Sequence, residues 1–118
     1  MRFAVLGSGS QGNGTLIASD STYVLVDCGF SLRETERRLV RLGVSPHQLS
    51  AILVTHEHAD HVHGVGLLSR RYNLPVYMSR GTQRGMRKPL EPAGFVAGGE
   101  TLQIGALSIS VTRVAHDA

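Results

Sequence analysis

Apolar and polar positions along the chain follow two periods, and the changes between them mark out the elements. Residues 2–6 are apolar after one arginine and read as a first strand, followed by a Gly- and Ser-rich turn over 7–14. Residues 15–18 and 22–26 are strand-like and separated by Ser19, Asp20 and Ser21, so a hairpin is expected and the first three strands form a meander. Over 31–42 the spacing becomes helical. Ser31 is an N-cap type with Glu34 three residues on, as in a capping box, and Gly43 stands where a helix ends. Leu32, Leu39 and Leu42, with Val40 nearby, are the expected buried stripe, while Arg33, Arg37 and Arg41 recur on a solvated face. Pro46 and His47 fall in a connecting loop, with His47 exposed.

Residues 51–54 read as a buried strand and 62–73 as a helix, whose Gly64 and Gly66 cost helix stability and imply close packing against the sheet. Residues 75–78 read as a short strand, 79–88 as a weak helix or irregular basic segment, and 94–99 as a loop. Residues 101–104 and 107–114 form a hairpin about Gly105 and Ala106, with Leu107, Ile109 and Val111 alternating against Ser108, Ser110 and Thr112.

Composition narrows the class. A chain of 118 residues with 42% apolar content supports one modest domain with a real core. It has no stretch near the 18 or so apolar residues that span a bilayer. The four-residue apolar run at the N-terminus is too short for a signal-peptide core, so a soluble, cytoplasmic protein is expected. The single cysteine, Cys28, excludes an internal disulfide framework. The net charge is +3 and eleven of the twelve basic residues are arginine, which allows an anionic substrate or simply a solvated basic face.

Two motifs carry candidate chemistry. Gly7, Gly9 and Gly12 spell G-x-G-x-x-G after a strand, with Asp27 at the distance of a ribose-binding carboxylate. A dinucleotide fold needs a helix between them, and residues 13–21 are too short and too rich in Gly and Ser to form one. The second motif is Thr55-His56-Glu57-His58-Ala59-Asp60-His61, directly behind the buried strand. Imidazole and carboxylate ligate zinc and its first-row neighbours, and so many polar groups at one strand end call for a partner. A metalloprotease H-E-x-x-H helix would need His where Asp60 stands, and a thiolate site would need more than one cysteine. His56 and His58 can point the same way in an extended segment, whereas Asp60 and His61 fall where the chain turns into a helix. One loop can thus give two ligands to each of two neighbouring metals.

This run resembles the signature of the metallo-β-lactamase-fold hydrolases at every defining position. The stretches around Gly7–Ser10 and 27–32 are most similar to the bacterial YycJ/WalJ-like branch, relatives of ribonuclease Z and DNA-processing nucleases. The resemblance implies an α/β (α+β) fold: the N-terminal half of an αββα sandwich, one mixed sheet with flanking helices. Residues 1–118 would be the first part of a single domain, with a C-terminal half packing on an otherwise exposed apolar sheet face. It implies that His56, His58 and His116 ligate one metal, that Asp60 and His61 serve a second together with later residues, and that Asp27 orients them from beneath. His58 stands where oxygen-reducing di-iron relatives have Glu, which favours a zinc hydrolase, with manganese or iron as other candidates. The implied activity is phosphodiester hydrolysis of DNA or RNA. Metal-bound hydroxide would attack phosphorus, with Asp60 as both ligand and catalytic proton acceptor. A thioesterase or lactonase of the same fold, and a non-catalytic binding or regulatory module, are the alternatives. His63 is expected to face away from the site and Cys28 to be a buried filler rather than a ligand.

Overall fold

A computed structural model describes residues 1–112. Three strands, β1 (Arg2–Gly7), β2 (Gly14–Ser19) and β3 (Thr22–Val26), form the antiparallel meander. Helix α1 (Leu32–Arg41) and a 3₁₀ turn (Pro46–Gln48) lead to β4 (Ala51–Leu53), which pairs parallel to β3. Two short helices follow, α2 (Ala59–Val62) and α3 (Val65–Tyr72), then β5 (Val76–Met78), α4 (Arg80–Gly85) and β6 (Gly94–Phe95). Among the described residues, the six strands form one mixed sheet in sequence order, and β7 (Thr101–Ile104) and β8 (Leu107–Ser110) form a separate hairpin.

Register assigns the two faces. Ala4, Leu16, Leu25, Ile52 and Val76 lie in one cross-strand row. All but the half-buried Ala4 join Leu39, Val65, Leu68 and Met78 in the core beneath the helices. On the other face the pairs run Phe3, Ile17, Val24, Ala51 and Val5, Thr15, Val26, Leu53, Tyr77. The β7–β8 hairpin lies over the middle of this face, burying Ile104 and Leu107 against Val24 and Ala51. Its turn is anchored at Thr22, whose Oγ1 accepts from the Ala106 N–H at 2.9 Å. Hence the apolar face expected to stand open is partly covered by the chain itself; at its β1 end Phe3 remains 74% and Val5 60% exposed.

Several boundaries differ from the sequence reading for identifiable reasons. In α1 the fully buried positions are Thr35 and Leu39, while Val40 and Leu42 are exposed. Thr35 tolerates burial because its hydroxyl bonds to the Ser31 carbonyl at 2.8 Å and meets Cys28 Sγ at 3.2 Å. Ser31 does cap the Glu34 N–H at 3.2 Å. The Glu34 side chain turns instead to Arg37 and Arg38, and a reciprocal capping box forms at Ser45 and Gln48. The helix expected over 62–73 is broken at His63 and Gly64. There the Gly64 N–H bonds to Cys28 O at 2.9 Å, and a side chain would run into Phe30 O. Within the loop expected at 94–99, Gly94 and Phe95 pair with Tyr77 and Met78 as a short edge strand. No helix of the described residues is long and apolar enough to cross a membrane.

Candidate metal centre

The parallel strands β3 and β4 end side by side, so the residues that follow them meet at one edge of the sheet. Asp27 continues the pairing through its N–H to Leu53 O at 2.8 Å, then turns with a φ of 64°, a left-handed conformation in which Asp is enriched over most residues. The residue is 6% exposed and its side chain is well partnered. Oδ1 accepts from the Thr55 N–H at 2.7 Å, Oδ2 accepts from Thr55 Oγ1 at 2.5 Å, and Oδ2 also lies 2.8 Å from His61 Nδ1.

These bonds fix the imidazole tautomers. A carboxylate only accepts, so His61 carries its proton on Nδ1 and presents the lone pair at Nε2. Thr55 gives its single hydroxyl proton to Asp27, so at 2.9 Å from His56 Nδ1 it accepts, and His56 likewise keeps its lone pair on Nε2. One carboxylate therefore sets two imidazoles in the form that ligates metal. Ligand atoms of Asp27, His56 and His61 all lie within 4.8 Å of one another, and the His56 and His61 ring centroids are 4.8 Å apart. Tetrahedral donors 2.0–2.2 Å from one ion stand roughly 3.3–3.6 Å apart, so the trio would have to close by up to about 1.3 Å to share an ion. The nitrogen and oxygen donor set suits zinc, manganese or iron.

Asp60 lies in the first turn of α2, with Oδ2 3.7 Å from His61 Nε2. It is held by Asn13, whose Nδ2 donates to both Asp60 Oδ2 and Asp60 O at 3.1 Å and whose N–H donates to Asp60 O at 2.7 Å. Three segments are thus locked together. Gly29 N–H donates to Asn13 O at 2.9 Å, Cys28 N–H to His61 O at 2.8 Å, and Gly64 N–H to Cys28 O. The glycine-rich turn finds its physical reason here: a Cβ on Gly7 or Gly12 would stand 2.6 Å from the Phe30 ring. These glycines let the turn wrap an aromatic side chain.

The remaining candidates fall around this cluster. His58 is exposed at the N-cap of α2, its ring stacked at 30° and 6.2 Å from that of His56, so it flanks the trio rather than joining it. His63 is exposed. His47 is exposed and packs edge-on to Tyr72 at 4.9 Å. Cys28 is buried, and that burial pushes its thiol pKa up, consistent with a neutral filler. His116, expected as the third ligand of the first metal, lies outside the described residues. Thr55 and Asn13 escaped the sequence reading. Thr55 could have been found by asking which neighbour saturates Asp27, whereas nothing in the spacing of Asn13 announces a bond to a residue 47 positions away.

The chain belongs to the metallo-beta-lactamase superfamily, whose family model matches residues 7–112. Exodeoxyribonuclease YycJ of Bacillus anthracis is 36% identical over 123 residues, covering 100% of this chain and 47% of that protein. Exodeoxyribonuclease WalJ of Streptococcus pneumoniae is 34% identical, covering 99% of this chain and 46% of that protein. Among solved structures, a B3 metallo-beta-lactamase with an active-site glutamic acid superposes with a TM-score of 0.75 at 25% identity, over 92% of this chain and 47% of that one. The chain spans about half the length of these relatives.

Proposed function

We propose that residues 1–118 form the N-terminal part of a single metallo-β-lactamase-like domain whose complete form is a metal-dependent phosphodiesterase, an exonuclease acting on DNA or RNA in the cytoplasm. The observation that carries this reading is the hydrogen-bonded chain from Asp27 through Thr55 to His56 and from Asp27 to His61, which readies two imidazoles as ligands. The nucleic-acid substrate follows from similarity to two exodeoxyribonucleases over essentially the whole chain.

In this reading His56, His58 and His116 hold one ion and Asp60 and His61 take part in holding a second, with Asp27 orienting them and close enough to contribute an oxygen. When bound, zinc, or manganese or iron in its place, supplies charge stabilisation at the phosphoryl group and acidifies water. Asp60 receives the proton of the attacking water, its carboxylate kept in place by Asn13. Asp27 holds the His61 ring and, through Thr55, the His56 ring against rotation.

The test is hydrolysis of bis-p-nitrophenyl phosphate and of end-labelled oligonucleotides by the full-length protein. Chelation and His58→Ala should each abolish turnover, and zinc should restore it only to the chelated wild type. Undiminished turnover after either treatment refutes the assignment. The B3 lactamase neighbour at a TM-score of 0.75 makes acyl transfer the second reading. Faster turnover of acyl-glutathione or lactone than of any phosphodiester would select it. Fewer than two ions held per complete domain would favour a binding module.

A further inference from the structure

Arg84, Arg87 and Lys88 lie in a segment, 80–88, that contains no acidic residue. The segment leaves the end of β5, the same carboxyl-terminal edge of the parallel strands from which Asp27 and the 55–61 loop depart. The segment touches the loop that carries the candidate metal ligands, at Glu57. A Cβ on Gly85 would stand 2.8 Å from Glu57 Cγ and 3.2 Å from Glu57 Oε1, and Glu57 lies between His56 and His58 in the chain. The backbone there is anchored on both sides of the glycine. Ser79 caps the Thr82 N–H at 3.0 Å, Met86 is buried, and Gln83 Nε2 donates to Leu90 O at 2.9 Å.

On this anchored backbone the three cationic side chains are exposed. Arg37, Arg38 and Arg71 each have a glutamate partner, but Arg84, Arg87 and Lys88 form no ion pair among the described residues. Arg80, in the same segment, lies over the Phe95 ring at 4.2 Å and is thereby occupied. Glu57 is the acidic side chain at the contact and offsets part of the charge, which leaves the segment net positive. Two arginines bracketing the point of contact with a metal-ligating loop suit polyanion recognition, since guanidinium matches phosphate with two parallel donors.

We infer that Arg84, Arg87 and Lys88 form a phosphate track that receives the backbone of a nucleic-acid strand next to the hydrolysed linkage. This rests on the phosphodiesterase reading and adds where the strand runs. A stacked strand carries a phosphate about every 3.4 Å, so linkages within a few nucleotides of the reacting one pass over the segment. Contacts of this kind position the strand without reading its sequence and serve DNA and RNA alike.

The experiment is equilibrium binding of labelled single-stranded DNA and RNA oligonucleotides of one sequence to the full-length protein, in chelator to prevent cleavage, across a range of salt concentrations. For Arg84→Ala/Arg87→Ala, binding of both oligonucleotides should weaken about tenfold or more, and the slope of log K against log salt should fall by about 1.4, two contacts at about 0.7 each. Arg87→Glu should weaken both further than Arg87→Ala. The pair Arg2→Ala/Arg41→Ala removes the same charge at the far edge of the sheet, where Arg2 borders a hollow with Leu42 and Gly43, and should leave the slope unchanged. Equal slopes for wild type and Arg84→Ala/Arg87→Ala, or an equal loss in the Arg2 and Arg41 pair, overturn the track. If bis-p-nitrophenyl phosphate is still hydrolysed in that case, the phosphodiesterase reading survives. A wild type that neither binds oligonucleotides nor hydrolyses the ester sinks both.

Discussion

Replacing Gly29 with alanine tests how tightly the segments around the metal centre are locked. The added methyl would overlap Asp60 O and approach Asn13 N to 2.9 Å, and both atoms are backbone, so no side-chain rotation relieves the clash. To make room, the Asp60 carbonyl must withdraw from Asn13, giving up the 2.7 Å bond from its N–H and the 3.1 Å bond from Nδ2. Asn13 Nδ2 keeps its bonds to Gly9 O and Asp60 Oδ2, so one donor, the Asn13 N–H, is left without a partner, at a cost of about 1–3 kcal/mol. At about 4–8 °C per kcal/mol for a domain of this order, the melting midpoint should drop by about 4 °C or more. The matched control is Gly81→Ala in α4, where the nearest atoms, Arg84 Nη2 and Ser79 Oγ, lie 3.9 Å from the new Cβ. Relief of the helix penalty of glycine there should leave the midpoint unchanged or raise it, by up to about 1 kcal/mol in stability. Thermal unfolding of both variants by circular dichroism is the assay. A Gly29→Ala variant that melts within about 2 °C of the wild type would show that the three segments slide apart freely and that the lock is not real.

Two further outcomes follow from the same geometry. Asn13→Ala removes the side chain that holds the Asp60 carboxylate and should weaken zinc binding by about 10–100-fold in calorimetric titration, the usual effect of losing a partner that orients a ligand, with unchanged affinity refuting the role. Glu34 has its pKa lowered, first by the hydrogen bond from Arg38 and then by Arg37, so its contribution to stability is present above the ordinary glutamate value of about 4.3 and is lost as pH falls through the lower folded value. The difference in melting temperature between wild type and Glu34→Gln should therefore shrink on acidification across that window, and a constant difference would contradict the pairing.

What could be read from the sequence was local. The strand pattern of residues 2–26 and the helix starting after Ser31 are set by neighbours a few positions apart and appear with ends shifted by a residue or two, and the hairpin about Gly105 forms, its second strand expected over 107–114 but ending at Ser110. The motif His56 to His61 was legible for the same reason. Misread features depend on distant partners. Thr35 replaces a leucine in the buried face of α1 because Cys28 stands opposite it, and the 62–73 helix breaks because Gly64 must meet the backbone of residues 28–30. Periodicity within a helix carries no trace of either. The strand at Gly94 and Phe95 was missed because two residues are too few to show a period.

The same division explains why the cluster takes the form it does. Read along the chain, His56 and His58 pair naturally, because side chains two apart in an extended segment share a face. In the folded chain His58 starts α2 with its ring 6.2 Å from that of His56, and the turn brings His61 round to Asp27. The imidazoles closest to a common centre are therefore His56 and His61, with an aspartate from a different strand between them. That aspartate is held by the Thr55 amide and hydroxyl, so its orientation depends on the pairing of β3 with β4. A donor set held by sheet register depends on that register to close on an ion. Metal affinity here should accordingly respond to changes in the sheet and its locking glycine as much as to changes in the histidines themselves.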